Sequence, residues 1–269
     1  MSYKTICAGF LYDDPRNEAV LDAAIHLAVK HGAHLTGLHL VPPLNVPVYA
    51  AVPLPNDMVG AYYDAADNSG KAFGETFDAR CEHAGVDSRE WRGDGHGALV
   101  QLEQQAPVTD LFVLAQHGTG DHSWLIGEAS MLVGTPIVAV PEMGSYDAFG
   151  KTVLLAWAPR RECARAVRDA MPILQQADKV VVFRGDVEDE SLDVGIGAYL
   201  ARHDVAAQVK HVSTGDVSIG DAILNTVTDE GCDMIVMGAY GHSRVREMAF
   251  GGATRHVLQH MTAPTLLSH

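Results

Sequence analysis

The sequence predicts an α/β protein built from two similar units in tandem, and three observations carry that prediction. Short apolar runs alternate with stretches of helical periodicity along all 269 residues. The runs are almost continuously apolar instead of alternating, the pattern of parallel strands covered by helices on both faces. The order then restarts behind Gly150, where Pro159-Arg160-Arg161-Glu162 echoes Pro15-Arg16-Asn17-Glu18.

Taken in order, Lys4–Leu11 reads as a first strand, with a turn at Tyr12–Pro15 and Pro15 suited to a first helical position. Leu21, Ala24, Ile25 and Ala28 mark one helix face ending near Gly32. His34–Val41 is a second strand. A proline-rich loop, Pro42–Pro55, is expected to pack over the strand ends, as a lid or as a surface crossover. A long helix over Met58–Ala84 leads to a weak third strand, Val86–Arg92, closed by Gly93, Gly95 and Gly97. A helix over Ala98–Ala106, the strand Leu111–Ala115, a helix around Ala129–Val133 and the strand Ile137–Val140 complete the first unit.

The second unit begins with the strand Thr152–Trp157. Cys163, Val167, Ala170, Met171 and Leu174 form one helix face, followed by the strand Lys179–Phe183 and the helix Leu192–His203. The strand Ala207–Val212 precedes a helix, Ser218–Glu230, that Ser218 can cap. Met234–Met237, a helix to about His260 and the strand Thr265–Leu267 close the chain. Each unit therefore reads βαβαβαβαβ, with domains expected at 1–146 and 147–269 and the boundary in the Gly144–Gly150 stretch. Right-handed crossovers and a switch in strand order place a ligand at the carboxyl ends of the strands.

Composition narrows the function. An apolar fraction of 47% with a mean hydropathy of +0.03 is that of a soluble globular protein, and no run approaches the length of a membrane span. The N-terminal apolar run stops at Tyr12-Asp13-Asp14, so it is expected to be a strand and not a signal peptide. Cys7, Cys81, Cys163 and Cys232 lie far apart without a C-x-x-C pair, which points to free thiols in a reducing, cytoplasmic setting and away from zinc. The 14 histidines show no metal-ligand spacing, and most are expected at the surface or satisfied in the core. A formal charge of −15 argues against a nucleic-acid partner. The charge is uneven: up to Phe149 there are 7 Lys/Arg against 19 Asp/Glu, giving −12, and the remainder contributes −3. An anionic ligand is repelled less by the second half.

The densest motif follows the strand Met234–Met237. Gly238, Gly241 and Gly251 are spaced G-x2-G-x9-G, and Gly251 runs into Gly252, Ala253 and Thr254 before a helical apolar pattern. Glycines at a strand end allow a tight turn and close approach of a ligand, and amides at a helix N-terminus suit an anion. A connection that merely turns the chain is the plain alternative.

This spacing resembles the nucleotide-binding signature of the universal stress protein family. The Val153–Trp157 strand and the Met261–Leu267 stretch resemble the family as well. The resemblance implies two tandem five-stranded parallel-sheet α/β sandwich units of strand order 3-2-1-4-5. It implies an adenine nucleotide, ATP, as ligand, with Mg2+ accompanying it. Gly238, Gly241 and His242 would then lie at the ribose and phosphates, and Gly251, Gly252, Ala253 and Thr254 would donate to the phosphates. Met237, Ala156, Trp157 and Ala158 would flank the nucleoside. Two positions depart from the ATP-binding pattern: Ala158 stands where members carry Asp, and Gly252 where they carry Ser. The first unit departs further, with Ala115 for the first glycine and Gly127-Glu128 where a phosphate would sit, although it keeps Asp14 at the place matching Ala158.

Other motifs carry less. Gly150-Lys151-Thr152 resembles the end of a Walker A loop but lacks its first glycine and precedes a strand. Arg244 and Arg246 could reach phosphates or stay solvated. No G-x-S-x-G elbow or carboxylate pair points to catalysis, so no catalytic residue is assigned and binding is expected instead of turnover. A protein-interaction module with vestigial nucleotide sites and a weak ATPase are the other readings. Family dimers pair through their last strands, so Ile137–Val140 is expected to pair with Thr265–Leu267 within one chain. That makes an intramolecular pseudo-dimer, with a homodimer and an unidentified protein partner left open, and no membrane partner.

Overall fold

The computed structural model describes residues 2–44, 56–93, 97–116, 125–185, 191–239 and 252–269. The first unit contains β1 (Thr5–Leu11), α1 (Asn17–His31), β2 (His34–Leu40), α2 (Asn56–His83) and β3 (Arg89–Arg92). It continues with α3 (Ala98–Gln105), β4 (Leu111–Ala115), α4 (Leu125–Leu132) and β5 (Ile137–Val140). The second contains β6 (Thr152–Ala156), α5 (Arg161–Asp169), α6 (Met171–Leu174), β7 (Lys179–Gly185) and α7 (Ser191–Arg202). It ends with β8 (Ala207–Val212), α8 (Ile219–Asp229), β9 (Met234–Gly238), α9 (Gly252–His260) and β10 (Thr265–Ser268).

The ten strands form one sheet in the order β3-β2-β1-β4-β5-β10-β9-β6-β7-β8. Each half is parallel and has the expected 3-2-1-4-5 order. The halves join by antiparallel pairing of Thr265, Leu266 and Leu267 with Ala139, Val138 and Ile137. This is the expected intramolecular seam, and it protects two apolar edge strands from other partners. Buried side chains collect in two clusters, one on each face of the sheet. Residues of α1, α2, α5, α6 and α7 contribute to one, and residues of α3, α4, α8 and α9 to the other. Among the described residues no helix is long and apolar enough to cross a membrane.

Local chemistry explains most boundaries. Gly32 closes α1 with φ 59°, a left-handed conformation that glycine adopts without strain. Ser218 caps α8 by accepting from Asp221 N at 3.1 Å. One expected helix is two. The face running from Cys163 to Leu174 breaks at Ala170, because Pro172, near the start of α6, has no N–H to continue the ladder.

The repeat extends to a carboxylate that ties each first strand. In the first unit Asp110, just before β4, accepts from the amides of Lys4 and Thr5 at 2.7 and 3.0 Å. In the second, Asp233, just before β9, accepts from Gly150, Lys151 and Thr152 at 3.0, 3.1 and 3.0 Å. The three amides of the Walker-like Gly150–Thr152 stretch therefore hold a side chain of the protein itself. His31 is an exception to what is expected of most of the histidines. It is only 6% exposed and neither ring nitrogen has a partner, with the Tyr3 ring edge-on at 4.8 Å.

Candidate functional site

At the carboxyl ends of β6, β7 and β9 the second unit opens into a cleft of about 300 Å³. In its half of the sheet β6 lies between β9 and β7, so the connection after β6 runs toward β7 and the one after β9 runs the opposite way, toward β10, leaving a gap between them. The cleft is the gap that this reversal leaves. Its apolar wall comes from Ala156, Phe183, Ile219, Ile223 and Met237, and its polar rim includes Arg160, Glu162 and Thr254.

Of the residues singled out from the sequence, Ala156, Trp157, Ala158, Met237, Gly238, Ala253 and Thr254 all line this one cleft. Gly252 is exposed at the first position of α9 and is not part of the lining. Gly241, His242 and Gly251 lie outside the described residues, as do Arg244 and Arg246, the first unit's Gly118, and residues 45–55 of the proline-rich loop.

Gly238 occupies its place for a reason that the motif does not disclose. It is the last residue of β9 and does not have a positive φ. A Cβ on it would lie 2.6 Å from Cys163 N and 2.7 Å from the carbonyl carbon of Glu162. The glycine is thus required by the backbone of the first turn of α5, which lies directly against the end of β9. That turn has no side-chain cap, and uncapped amides at a helix start favour a negative group. Thr254, in the first turn of α9, is 5% exposed yet reaches the lining.

The sequence reading passed over Arg160, Glu162, Cys163, Phe183, Gly185, Ile219 and Ile223 as site residues. Phe183 and Gly185 carry a usable signal, since the end of the strand next to β6 must border the gap. Ile219 and Ile223 are one turn apart on α8 and carry none beyond amphipathicity. Cys163 is the one cysteine of the four that is not fully buried, and partial burial pushes its thiol up from its ordinary pKa. Glu162 places a carboxylate in the cleft, with its side chain 13% exposed and Arg161 Nε at 3.3 Å.

In the first unit the corresponding place is bridged by side chains. Arg16 Nε donates to Asp14 Oδ1 at 2.6 Å and its Nη2 to Asp14 Oδ2 at 2.7 Å. Its Nη1 donates to the Gln116 carbonyl at 2.9 Å and to Glu142 at 3.0 Å. Gln116 in turn accepts from the Glu142 amide at 2.9 Å and donates to the Leu258 carbonyl of α9 at 2.6 Å. The Asp14–Arg16 pair spans the gap between the ends of β1 and β4. Desolvation opposes the charge on Arg16, but its pKa is raised because the contacts with Asp14 and Glu142 outweigh that effect.

The donor set of the cleft suits a nucleotide: an apolar slot for a base, a carboxylate for hydroxyls, and an arginine with helix N-termini for phosphates. Among the described residues no group of three His, Cys, Asp or Glu side chains could hold a metal ion.

Comparison with known proteins gives a family match for part of the chain and fold matches for all of it. Residues 161–269 match the sequence model of the Universal stress protein family. A universal stress protein from Archaeoglobus fulgidus DSM 4304 superposes with a TM-score of 0.75 at 14% identity, covering 98% of this chain and 95% of that chain. A candidate universal stress protein from Pseudomonas aeruginosa UCBPP-PA14 gives 0.59 at 12% identity, covering 99% and 93%. Identities this low show the fold alone. A universal stress protein solved in complex with cAMP covers 52% of this chain and 98% of that one with a TM-score of 0.37, which carries no weight for the ligand here. No curated protein matches the chain.

Proposed function

We propose that this chain, whose residues 161–269 match the Universal stress protein family model, is a universal stress protein that binds an adenine nucleotide, ATP with Mg2+, in the cleft at the ends of β6 and β9. The observation that supports this most directly is convergence. Seven residues chosen from the sequence alone for a nucleotide site line one cleft in the fold. Met237, Ala156 and Phe183 offer the base an apolar wall. Ala253 and Thr254 begin α9 and face the phosphates, with Arg160 adding positive charge. Glu162 supplies the carboxylate that Ala158 lacks and accepts from the ribose hydroxyls. Residues 147–269 are the ligand-binding unit in this reading, and the chain serves a stress response in the cytoplasm by binding, without a requirement for turnover.

Isothermal titration of the intact chain with ATP and Mg2+ tests the reading. We expect one site per chain. Glu162→Gln should weaken ATP about ten-fold, the loss of one charged acceptor, and should affect 2′-deoxy-ATP less. Absence of binding by any adenine nucleotide would refute the proposal, and two equal sites would refute its assignment to the second unit. Phosphate release from ATP dependent on Mg2+ would identify the chain as a weak ATPase.

A further inference from the structure

A second cavity, of about 240 Å³, lies between α5 and α7. It is lined by Trp157, Ala164, Val167, Arg168, Ile196 and Tyr199, with Gly195 at its side. Val167 and Ile196 belong to the core cluster on one face of the sheet, whereas Ala156, Phe183 and Met237 of the cleft belong to the cluster on the other. Trp157, just past the end of β6, lines both spaces. One indole is thus a wall common to the two.

Three features of the cavity point to a ligand. Its size exceeds the roughly 150 Å³ that holds a single benzene ring in a dry cavity. Among the described residues its lining is aliphatic and aromatic except at Arg168, with Gly195 beside it. That arginine is exposed and makes no hydrogen bond or ion pair with the described residues, although the protein carries an excess of carboxylates. A guanidinium at the edge of an apolar slot recognises a carboxylate while the slot takes the apolar body. The Trp157 Nε1 atom is buried without a partner, so no hydrogen bond fixes the ring against a shift when the cavity fills.

We propose that this cavity is a second ligand site, for a small carboxylate carrying one aromatic ring, with Arg168 as its counter-charge and Trp157 as the wall it shares with the cleft. Benzoate is the probe, titrated calorimetrically into the intact chain without nucleotide, so that the outcome does not depend on what the cleft binds. A single saturable site is expected. Arg168→Met should weaken it about ten-fold or more, and Arg168→Lys should restore part of the affinity. Gly195→Leu should abolish binding. An added Cβ there meets no atom within 4 Å, so the longer side chain can enter the cavity without disturbing the fold. Benzyl alcohol, which keeps the ring and lacks the charge, and acetate, which lacks the ring, should both bind about ten-fold more weakly or worse. With 5-fluorotryptophan in the three tryptophan positions, benzoate should shift the Trp157 resonance and leave those of Trp91 and Trp124 in place. No saturable binding, equal binding of benzyl alcohol, affinity unchanged in both Arg168→Met and Gly195→Leu, or a response confined to Trp91 or Trp124 would overturn the proposal.

Discussion

The two units place the same sequence echo at the same bend and do opposite things with it. Arg16 and Arg160 both follow a proline in front of the helix after the first strand. Arg16 turns inward onto Asp14 and bridges to Gln116 and Glu142. Arg160 follows Ala158 in place of an aspartate, is exposed, and lines the cleft. A carboxylate two residues before the arginine, present in one unit and absent in the other, therefore gives Arg16 a partner that Arg160 does not have at that position. The sheet register adds a second difference. Gly9 lies opposite Leu114 and Ala156 opposite Met237, yet β1 continues to Leu11 while β6 stops at Ala156. Asp14 matches Ala158 counted back from the helix, but the longer strand carries it further beyond the sheet. The retained aspartate is consequently paired with Arg16 beyond the end of the sheet.

The steric contrast at the end of the neighbouring strand gives the largest expected effect. Gly238 abuts backbone of α5, whereas the first unit carries Ala115 at the matching place, buried at 4% exposure. Gly238→Ala should cost about 3 kcal/mol in urea unfolding and close the cleft, because the obstructing atoms are backbone and cannot rotate away. Ala115→Gly should cost only about 1 kcal/mol. Equal effects would show that the two strand ends are packed alike.

Breaking the Asp14–Arg16 pair should matter somewhat less. Arg16→Met leaves the Asp14 carboxylate, 3% exposed at its side chain, without its main partner. It should destabilise by about 2 kcal/mol in the same measurement. Asp14→Asn with Arg16→Met should recover part of that loss, since both charges are then gone.

Acid should distinguish the units as well. Burial and nearby cations hold His31 of the first unit down to about 4 from an ordinary 6.5. The unfolded chain therefore binds the proton more readily, and stability falls as pH drops from 6.5 toward 4. The loss should be about 1 kcal/mol over the first pH unit below 6.5. It should be absent in His31→Gln, provided the variant folds; a slope unchanged by that substitution would assign the acid sensitivity to other groups.

The strands were legible because a doubly covered sheet demands apolar runs, and β4, β5 and the core of β9 fall where those runs lie. The seam was legible too, from two apolar edge strands each preceded by proline. What escaped depends on contacts between elements distant in sequence. The break at Ala170 is an exception, for Pro172 was visible, but the apolar spacing around it continued and masked it. The residues of α8 in the cleft look like any helix face until the strand order puts them over β6 and β7. The packing of Gly238 against α5 was not legible because a motif shows that a side chain is absent and not which atoms exclude it.

The antiparallel pairing of β5 and β10 has a consequence in solution. Between two separate chains, such an edge-to-edge contact would loosen on dilution. Here both strands belong to one polypeptide, so each half sees the other at an effective concentration set by the connecting chain and not by the amount of protein. The apparent unfolding temperature should accordingly be independent of protein concentration over orders of magnitude. A single copy in a very dilute cell compartment keeps the same sheet as a sample at the highest concentration in the tube.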